Sequence, residues 1–148
     1  MAYSKWYKFY LVEFTNKYHP TPSGYTFIKP GITHHVKDVM KRFDPSVDDG
    51  YPKNYDDWII VCKHSRVFYS LAEAKEYEKY FLTELYPYDY NDTKVWLEKV
   101  LHLEDTNRYD NMSGRSEIRM IPTKDAKALY HKLNSEKDRE KKALANVQ

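Results

Sequence analysis

Two runs rich in aromatic and β-branched residues, 7–15 (YKFYLVEFT) and 25–32 (YTFIKPGI), lie on either side of a short polar segment. Runs of this composition are typical of β-strands. The segment between them, 16–24 (NKYHPTPSG), contains two prolines and a glycine, which favour turns and are excluded from central strands. The sequence therefore predicts a β-hairpin at residues 7–32, and any fold of this chain has to be built around it.

The next part of the chain predicts a helix, a strand and a second helix. Thr33 is a suitable N-cap for a helix over 34–43, which Asp44-Pro45 would end. The apolar run at 58–63 predicts a third strand. Ser70 followed three residues later by Glu73 matches a capping box and predicts a helix that extends to about residue 85.

The last third of the chain predicts mainly helix. One helix is expected over 93–103, a short extended segment over 117–121, and a final helix from about Lys124. The final helix has one apolar face, formed by Ala126, Leu129, Tyr130 and Leu133. Beyond Ser135 charged residues dominate, which predicts a solvated or frayed helical tail.

These elements predict an α+β fold, with a small antiparallel three-stranded sheet flanked by helices and a C-terminal helical extension. We expect one domain over 1–121, and a C-terminal helix with a charged tail over 122–148. A net charge of +2 hides basic ends and an acidic middle, a distribution expected where phosphates are approached. The single cysteine and the absence of a secretory or membrane-spanning segment predict a cytoplasmic protein without a structural zinc.

One carboxylate lies at or beside a predicted buried helix face, where a charged side chain requires a partner. In the helix after Ser70, the spacing that continues from Ala74 requires a core-facing residue at position 77 or 78, either Tyr77 or Glu78. Burying a carboxylate is costly unless a metal ion or a cationic partner compensates. Either Glu78 serves such a site, or Tyr77 takes the core position and Glu78 lies beside it.

The predicted hairpin and the helix that follows it carry further candidates. Gly31 stands near a strand end, where a backbone or ligand can approach closely. His35, Val39 and Arg42 would share one helix face, so Arg42 could reach a phosphate at the sheet edge. It could equally be a surface arginine beside Lys41. His34 and His35 would point to different helix faces and form a poor metal clamp.

The order of these residues resembles the GIY-YIG endonuclease superfamily over roughly residues 7–91. The first motif corresponds to Phe9-Tyr10-Leu11 and the second to Lys29-Pro30-Gly31. The family's arginine then corresponds to Arg42, its glutamate to Glu78, and the asparagine that ends its motif series to Asn91. The later run 114–121 (GRSEIRMI) and the helix after it resemble the C-terminal part of some phage-associated members.

The resemblance implies a nuclease that hydrolyses phosphodiester bonds in DNA with Mg²⁺ or Mn²⁺ held by Glu78. Tyr10 would position or deprotonate the attacking water, and Arg42 would stabilise the developing charge. The positions expected to contact the substrate are Lys29, Gly31, His35, Lys41 and Asn91.

Departures from the family pattern leave two other functions open. Lys29 replaces the tyrosine of the second motif, Pro30 occupies its middle position, and Arg42 lies about one helical turn late. The chain could instead be a catalytically inactive module that binds nucleic acid through its basic ends and exposed tyrosines. It could also be an accessory factor or inhibitor that binds a protein partner.

Overall fold

The computed structural model describes residues 6–47, 55, 57–85, 93, 95–96, 99 and 117–147 of the chain. In chain order its elements are β1 (Tyr7–Asn16), β2 (Tyr25–Thr33), a 3₁₀ helix (Val39–Phe43), β3 (Trp58–Phe68), α1 (Leu71–Tyr80) followed by a π turn (Phe81–Leu85), β4 (Arg119–Pro122) and α2 (Thr123–Val147). The expected α+β class is confirmed. Of the helix predicted over 93–103, the structure describes only residues 93, 95, 96 and 99, which are helical.

The sheet is antiparallel and has four strands in the order β3-β1-β2-β4, one more than predicted. The additional strand is the short extended segment near residue 120, which pairs with β2 from Tyr25 to Ile28. The sequence indicated an extended segment there but not its partner, because the two strands are far apart in the chain. Pro30 lies beyond the residues of β2 that pair with β4, so its missing N–H costs that pairing nothing.

The central strand β1 is buried on both faces. Tyr10, Val12 and Phe14 enter one apolar cluster, which the 3₁₀ helix and residues 55, 58 and 118 help to form. Phe9 and Leu11 enter a second cluster, with residues of α1, the π turn and α2. Because side chains alternate along a strand, these clusters lie on opposite faces of the sheet, here called the Tyr10 face and the Phe9 face.

The third strand is longer than its apolar run, because it continues to Phe68 through the polar residues 63–66. It is an edge strand, where polar side chains can remain in contact with solvent. Leu11 pairs with His64 and Val12 pairs with Cys62, so Lys63 is an extra residue in a bulge. The alternating pattern breaks at this bulge, which explains why the sequence pattern ended the strand too early.

The helix predicted over 34–43 is wrong in its first half. Thr33 does not cap a helix, since its Oγ1 accepts a hydrogen bond from the His35 backbone N–H at 3.1 Å. The helix begins only after Asp38, whose carboxylate accepts a hydrogen bond from the Met40 N–H at 3.0 Å. Asp38 thus caps the helix in place of Thr33. The element that forms is a 3₁₀ helix, which ends at Phe43, before Asp44-Pro45 as expected.

The cap of α1 is as predicted, because the Ser70 hydroxyl accepts a hydrogen bond from the Glu73 N–H at 3.2 Å. The α-helix itself ends at Tyr80, and the five residues to Leu85 form a π turn. The apolar face predicted for the last helix is confirmed: Ala126, Tyr130 and Leu133 are buried in the cluster on the Phe9 face and Leu129 packs against it. That cluster joins Ile121 and Ala126, which stand on either side of the predicted domain boundary.

Polar contacts also fix α2 to the sheet. The Tyr130 hydroxyl donates to Glu13 Oε1 at 2.7 Å, and Lys137 Nζ donates to the Ser65 carbonyl at 2.7 Å. Asn134 Oδ1 lies 2.8 Å from Nδ1 of the buried His64. Within the residues that are described, no helix is long and apolar enough to cross a membrane.

Candidate functional site

Tyr10 lies directly opposite Gly31 in the β1–β2 register, and its ring covers that glycine. A Cβ at position 31 would overlap the hydroxyl and ring carbons of Tyr10, so a glycine is required for this packing. Lys29 is two residues before Gly31 and therefore points to the same face of β2. Its Nζ donates a hydrogen bond to the Tyr10 hydroxyl at 3.0 Å. The hairpin thus brings together three of the candidate residues.

The ammonium of Lys29 is a buried charge, since the residue is only 2% exposed. Glu117 Oε2 lies 3.6 Å from its Nζ, and the Glu117 side chain is 36% exposed. Burial by itself lowers the pKa of Lys29, but the neighbouring Tyr10 and Glu117 outweigh this effect and raise it above the ordinary value. The lysine is therefore cationic at neutral pH.

Glu78 belongs to the same electrostatic group. Burial raises the pKa of its carboxyl group, Glu117 raises the pKa further, and Lys29 and Lys75 act in the opposite direction. A half-buried carboxylate close to a second carboxylate is a site that a cation would stabilise. We call Tyr10, Lys29, Glu78 and Glu117 the Lys29 cluster.

Tyr77, not Glu78, takes the core position on α1. Its ring packs against Phe9 at 4.9 Å and against Phe68 at 5.1 Å between ring centroids. Glu78 is the next residue along the helix and is partly exposed, so it flanks the apolar stripe. Tyr77 thus takes the core position and Glu78 lies beside it, which is the second of the two arrangements that the sequence left open.

Arg42 is buried at 7% exposure, so it is not a surface arginine. Its guanidinium carbon lies 5.7 Å from the Phe43 ring, and the Phe43 ring lies 5.4 Å from the Tyr10 ring. Val39 and Arg42 are three residues apart and share a face of the 3₁₀ helix, as both are buried. Arg42 is thus linked to Tyr10 through one aromatic ring on the Tyr10 face.

The remaining candidates differ in how the structure places them. His35 is half-buried outside any helix, and its ring lies 4.0 Å from the His34 ring. The expectation that the two histidines point to different helix faces is therefore wrong, because residues 34 to 38 are not helical. Lys41 is exposed on the 3₁₀ helix. Asn91 lies outside the described residues.

Glu117 is a member of the cluster that the sequence did not identify. It precedes β4, and the pairing of Ile28 with Arg119 places the chain before β4 alongside Lys29. The available signals were an acidic residue at the start of a predicted strand and a lysine inside another strand. They could have been combined only if the pairing of β2 with β4 had been known.

The donor set at this site suits a hard, largely hydrated cation. Magnesium and manganese are commonly held by one or two carboxylates together with water. Glu117 raises the pKa of Glu78, and a divalent cation held by both carboxylates would offset the burial of Glu78 and the repulsion between the two acids. Over the described part of the chain, there is no group of three or more His, Cys, Asp or Glu residues arranged to hold a metal ion.

Comparisons of the chain with protein-family models, with curated proteins and with solved structures give no match.

Proposed function

We propose that this chain hydrolyses phosphodiester bonds in DNA at the Lys29 cluster, as the resemblance to GIY-YIG nucleases implies. The observation that supports the proposal best is the hydrogen bond between Lys29 and Tyr10 on neighbouring strands, with Glu117 at 3.6 Å from Lys29. Glu78, on α1, is under the electrostatic influence of Glu117 and Lys29. The expected cytoplasmic location, in a host cell if a phage encodes the chain, is part of this proposal.

Each residue of the cluster has a role that follows from its chemistry. The Tyr10 oxygen would orient the attacking water or accept its proton. The Lys29 ammonium beside that oxygen would stabilise the negative charge that develops on the attacked phosphate. Glu78, with Glu117, would hold Mg²⁺ or Mn²⁺, and such an ion activates water and neutralises phosphate charge when bound.

Arg42 would act on the phosphate from the 3₁₀ helix, where its planar guanidinium can donate two hydrogen bonds to phosphate oxygens. Tyr10 is only 1% exposed, whereas Glu117 retains more than a third of its side-chain exposure. The substrate would therefore approach from the side of the two carboxylates, and this side has to open to admit water to Tyr10.

A cleavage assay tests the proposal. Purified protein is incubated with single-stranded DNA, double-stranded DNA and RNA, with Mg²⁺, Mn²⁺ or EDTA. We expect metal-dependent cleavage of DNA that falls at least roughly a hundredfold in Glu78→Gln, as losses of one charge-stabilising group commonly do. Glu76→Gln, which changes an exposed acid on the same helix, is the matched control and should cleave normally.

Either of two outcomes would overturn the enzymatic proposal. The first is intact DNA after incubation of the folded wild-type protein with either metal. The second is equal cleavage by wild type and by Glu78→Gln.

A nucleic-acid-binding module without activity is the second candidate, and one observation favours it. Lys29 occupies the position of the second-motif tyrosine and engages the hydroxyl of the buried Tyr10. In that case DNA binding should weaken steeply as salt increases, because counterions are released on binding. Glu78→Gln should then bind DNA no more weakly than the wild type does.

A further inference from the structure

A cavity of about 270 Å³ opens on the Tyr10 face, beyond the Lys29 cluster. Its lining is mostly aromatic and apolar, and consists of Met40, Phe43, Asp44, Pro45, Tyr55, Trp58 and Ile60. We call it the aromatic cavity. It is an open hollow, smaller than a typical site for a whole small ligand, and its size suits one part of a larger ligand.

The aromatic walls hold one another in place. The Tyr55 ring packs edge-on against Phe43 at 5.1 Å and at a tilt against Phe14 at 5.8 Å, measured between ring centroids. Trp58 packs edge-on against Phe14 at 5.9 Å. Because Phe14 is fully within the core, the two rings of the wall are fixed from behind. A planar ligand would therefore meet preformed flat surfaces.

One wall residue carries a hydrogen-bond donor that is not used within the described part of the chain. Trp58 is only 5% exposed, and its Nε1 is buried without a hydrogen-bond partner there. A buried donor left unpaired costs free energy, so an acceptor supplied by a ligand would be stabilising. An indole N–H donates only, so a ligand that reaches it has to offer an acceptor, such as a carbonyl oxygen or a ring nitrogen.

The surroundings of the cavity favour a ligand that carries negative charge on one side. Phe43 forms part of the cavity wall, and the Arg42 guanidinium and the Tyr10 ring both lie against the Phe43 ring. The buried Arg42 guanidinium behind the Phe43 wall disfavours a cationic occupant and favours an anionic group beside the cavity.

From these observations we infer that the aromatic cavity binds a nucleobase of the DNA strand whose phosphate reaches Arg42 and the Lys29 cluster. A nucleobase is planar and stacks on aromatic rings, and its edge carries the acceptors that the Trp58 N–H requires. This inference rests on the proposed function, because it identifies the substrate as a strand from which at least one base can be unstacked. It predicts a preference for single-stranded or locally melted DNA over an intact duplex.

Binding of mononucleotides without metal tests the inference separately from cleavage. The four 2′-deoxynucleoside 5′-monophosphates are titrated in EDTA into ¹⁵N-labelled protein, and the indole N–H signals of the three tryptophans are followed. We expect a saturable shift of the Trp58 signal, assigned with Trp58→Phe, and no shift of the Trp6 signal. Trp6 is a suitable internal control because it is exposed and precedes β1, whereas Trp58 pairs with the last residue of that strand.

Two variants and two ligands sharpen the test. Tyr55→Leu removes a stacking surface and should weaken nucleotide binding by roughly fivefold to a hundredfold. Trp58→Phe keeps a ring and loses the donor, so binding followed on the Met40 methyl signal should weaken by about twofold to tenfold. Tyr80→Leu, at an exposed tyrosine on α1, should bind like wild type. Neither 2-deoxyribose 5-phosphate nor choline should shift the Trp58 signal.

The inference is wrong if 2-deoxyribose 5-phosphate binds as tightly as the nucleotides, or if choline occupies the cavity instead. It is also wrong if Trp58→Phe, the variant that disturbs packing least, binds nucleotides like wild type. A protein that cleaves DNA but shows no Trp58 shift would retain the proposed function and lose the base site. A protein that binds nucleotides at the aromatic cavity but cleaves no DNA would retain the base site and lose the proposed function.

Discussion

Lys29 places a full positive charge among apolar side chains in the middle of a strand. Its ammonium is satisfied by the Tyr10 hydroxyl and balanced by Glu117, which remains partly hydrated. Buried ion pairs seldom stabilise a fold more than well-packed apolar residues of similar volume would. Stability alone therefore does not explain the buried Lys29–Glu117 pair, whereas the proposed role at a phosphate would.

A double substitution tests whether the Tyr10–Lys29 pair contributes to stability. Lys29→Met alone should lower the free energy of unfolding by about 1 to 3 kcal/mol, because the buried Tyr10 hydroxyl loses its partner. Adding Tyr10→Phe removes that hydroxyl and should recover most of the loss. Urea unfolding at pH 7 measures both effects.

The matched control for this pair is Tyr18→Phe, which removes the hydroxyl of a tyrosine that is 72% exposed and should leave stability unchanged. If the double variant is less stable than either single variant, the two residues together are a net source of stability. The argument that the buried Lys29 charge is not explained by stability would then fail.

At the scale of elements, the β1–β2 hairpin shapes the site through one missing side chain. Gly31 lets the Tyr10 ring lie flat across β2, which carries the hydroxyl to Lys29. Gly31 has an ordinary backbone conformation, whereas Gly24 in the hairpin turn has a φ of 80°, in the left-handed region. The two glycines are thus required for different reasons, one for space and one for backbone conformation.

Replacing each glycine with alanine distinguishes the need for space at Gly31 from the need for a left-handed backbone conformation at Gly24. Gly31→Ala should cost about 1 to 3 kcal/mol through overpacking against Tyr10, and less in a Tyr10→Leu background. Gly24→Ala has open space for its Cβ and should cost about 1 kcal/mol in either background. Thermal unfolding of wild type, Tyr10→Leu and the four glycine variants gives these costs. An equal cost of Gly31→Ala in the two backgrounds would contradict the packing that we describe.

Local rules predicted those elements whose signals lie close together in the chain. The hairpin and the Ser70 cap depend on neighbouring residues, and both are present. The helix over 34–43 failed because Asp38 offers a closer cap than Thr33. The partner of β4 could not be read from the sequence, since strand pairing between distant segments has no local signal.

At the scale of the whole molecule, the candidate site combines residues from both sides of the sheet. The 3₁₀ helix with Arg42 packs on the Tyr10 face, and α1 with Glu78 packs on the Phe9 face. Tyr10, Arg42 and Glu78 were identified from a motif order, whereas Glu117 and Tyr55 enter only through tertiary pairing and packing. Short motifs therefore suggested the proposed chemistry, and the folded chain added neighbours that the motifs do not contain.

The central claim is that Glu78 lies in a half-buried group of charges that a divalent cation would stabilise. The carboxyl carbon signal of Glu78, followed by NMR as a function of pH, tests it most directly. Without metal, we expect a pKa above the ordinary 4.5, because burial and Glu117 favour the protonated form. Added Mg²⁺ binds the ionised carboxylate and should therefore lower that pKa. An ordinary pKa for Glu78 that Mg²⁺ leaves unchanged would contradict the claim.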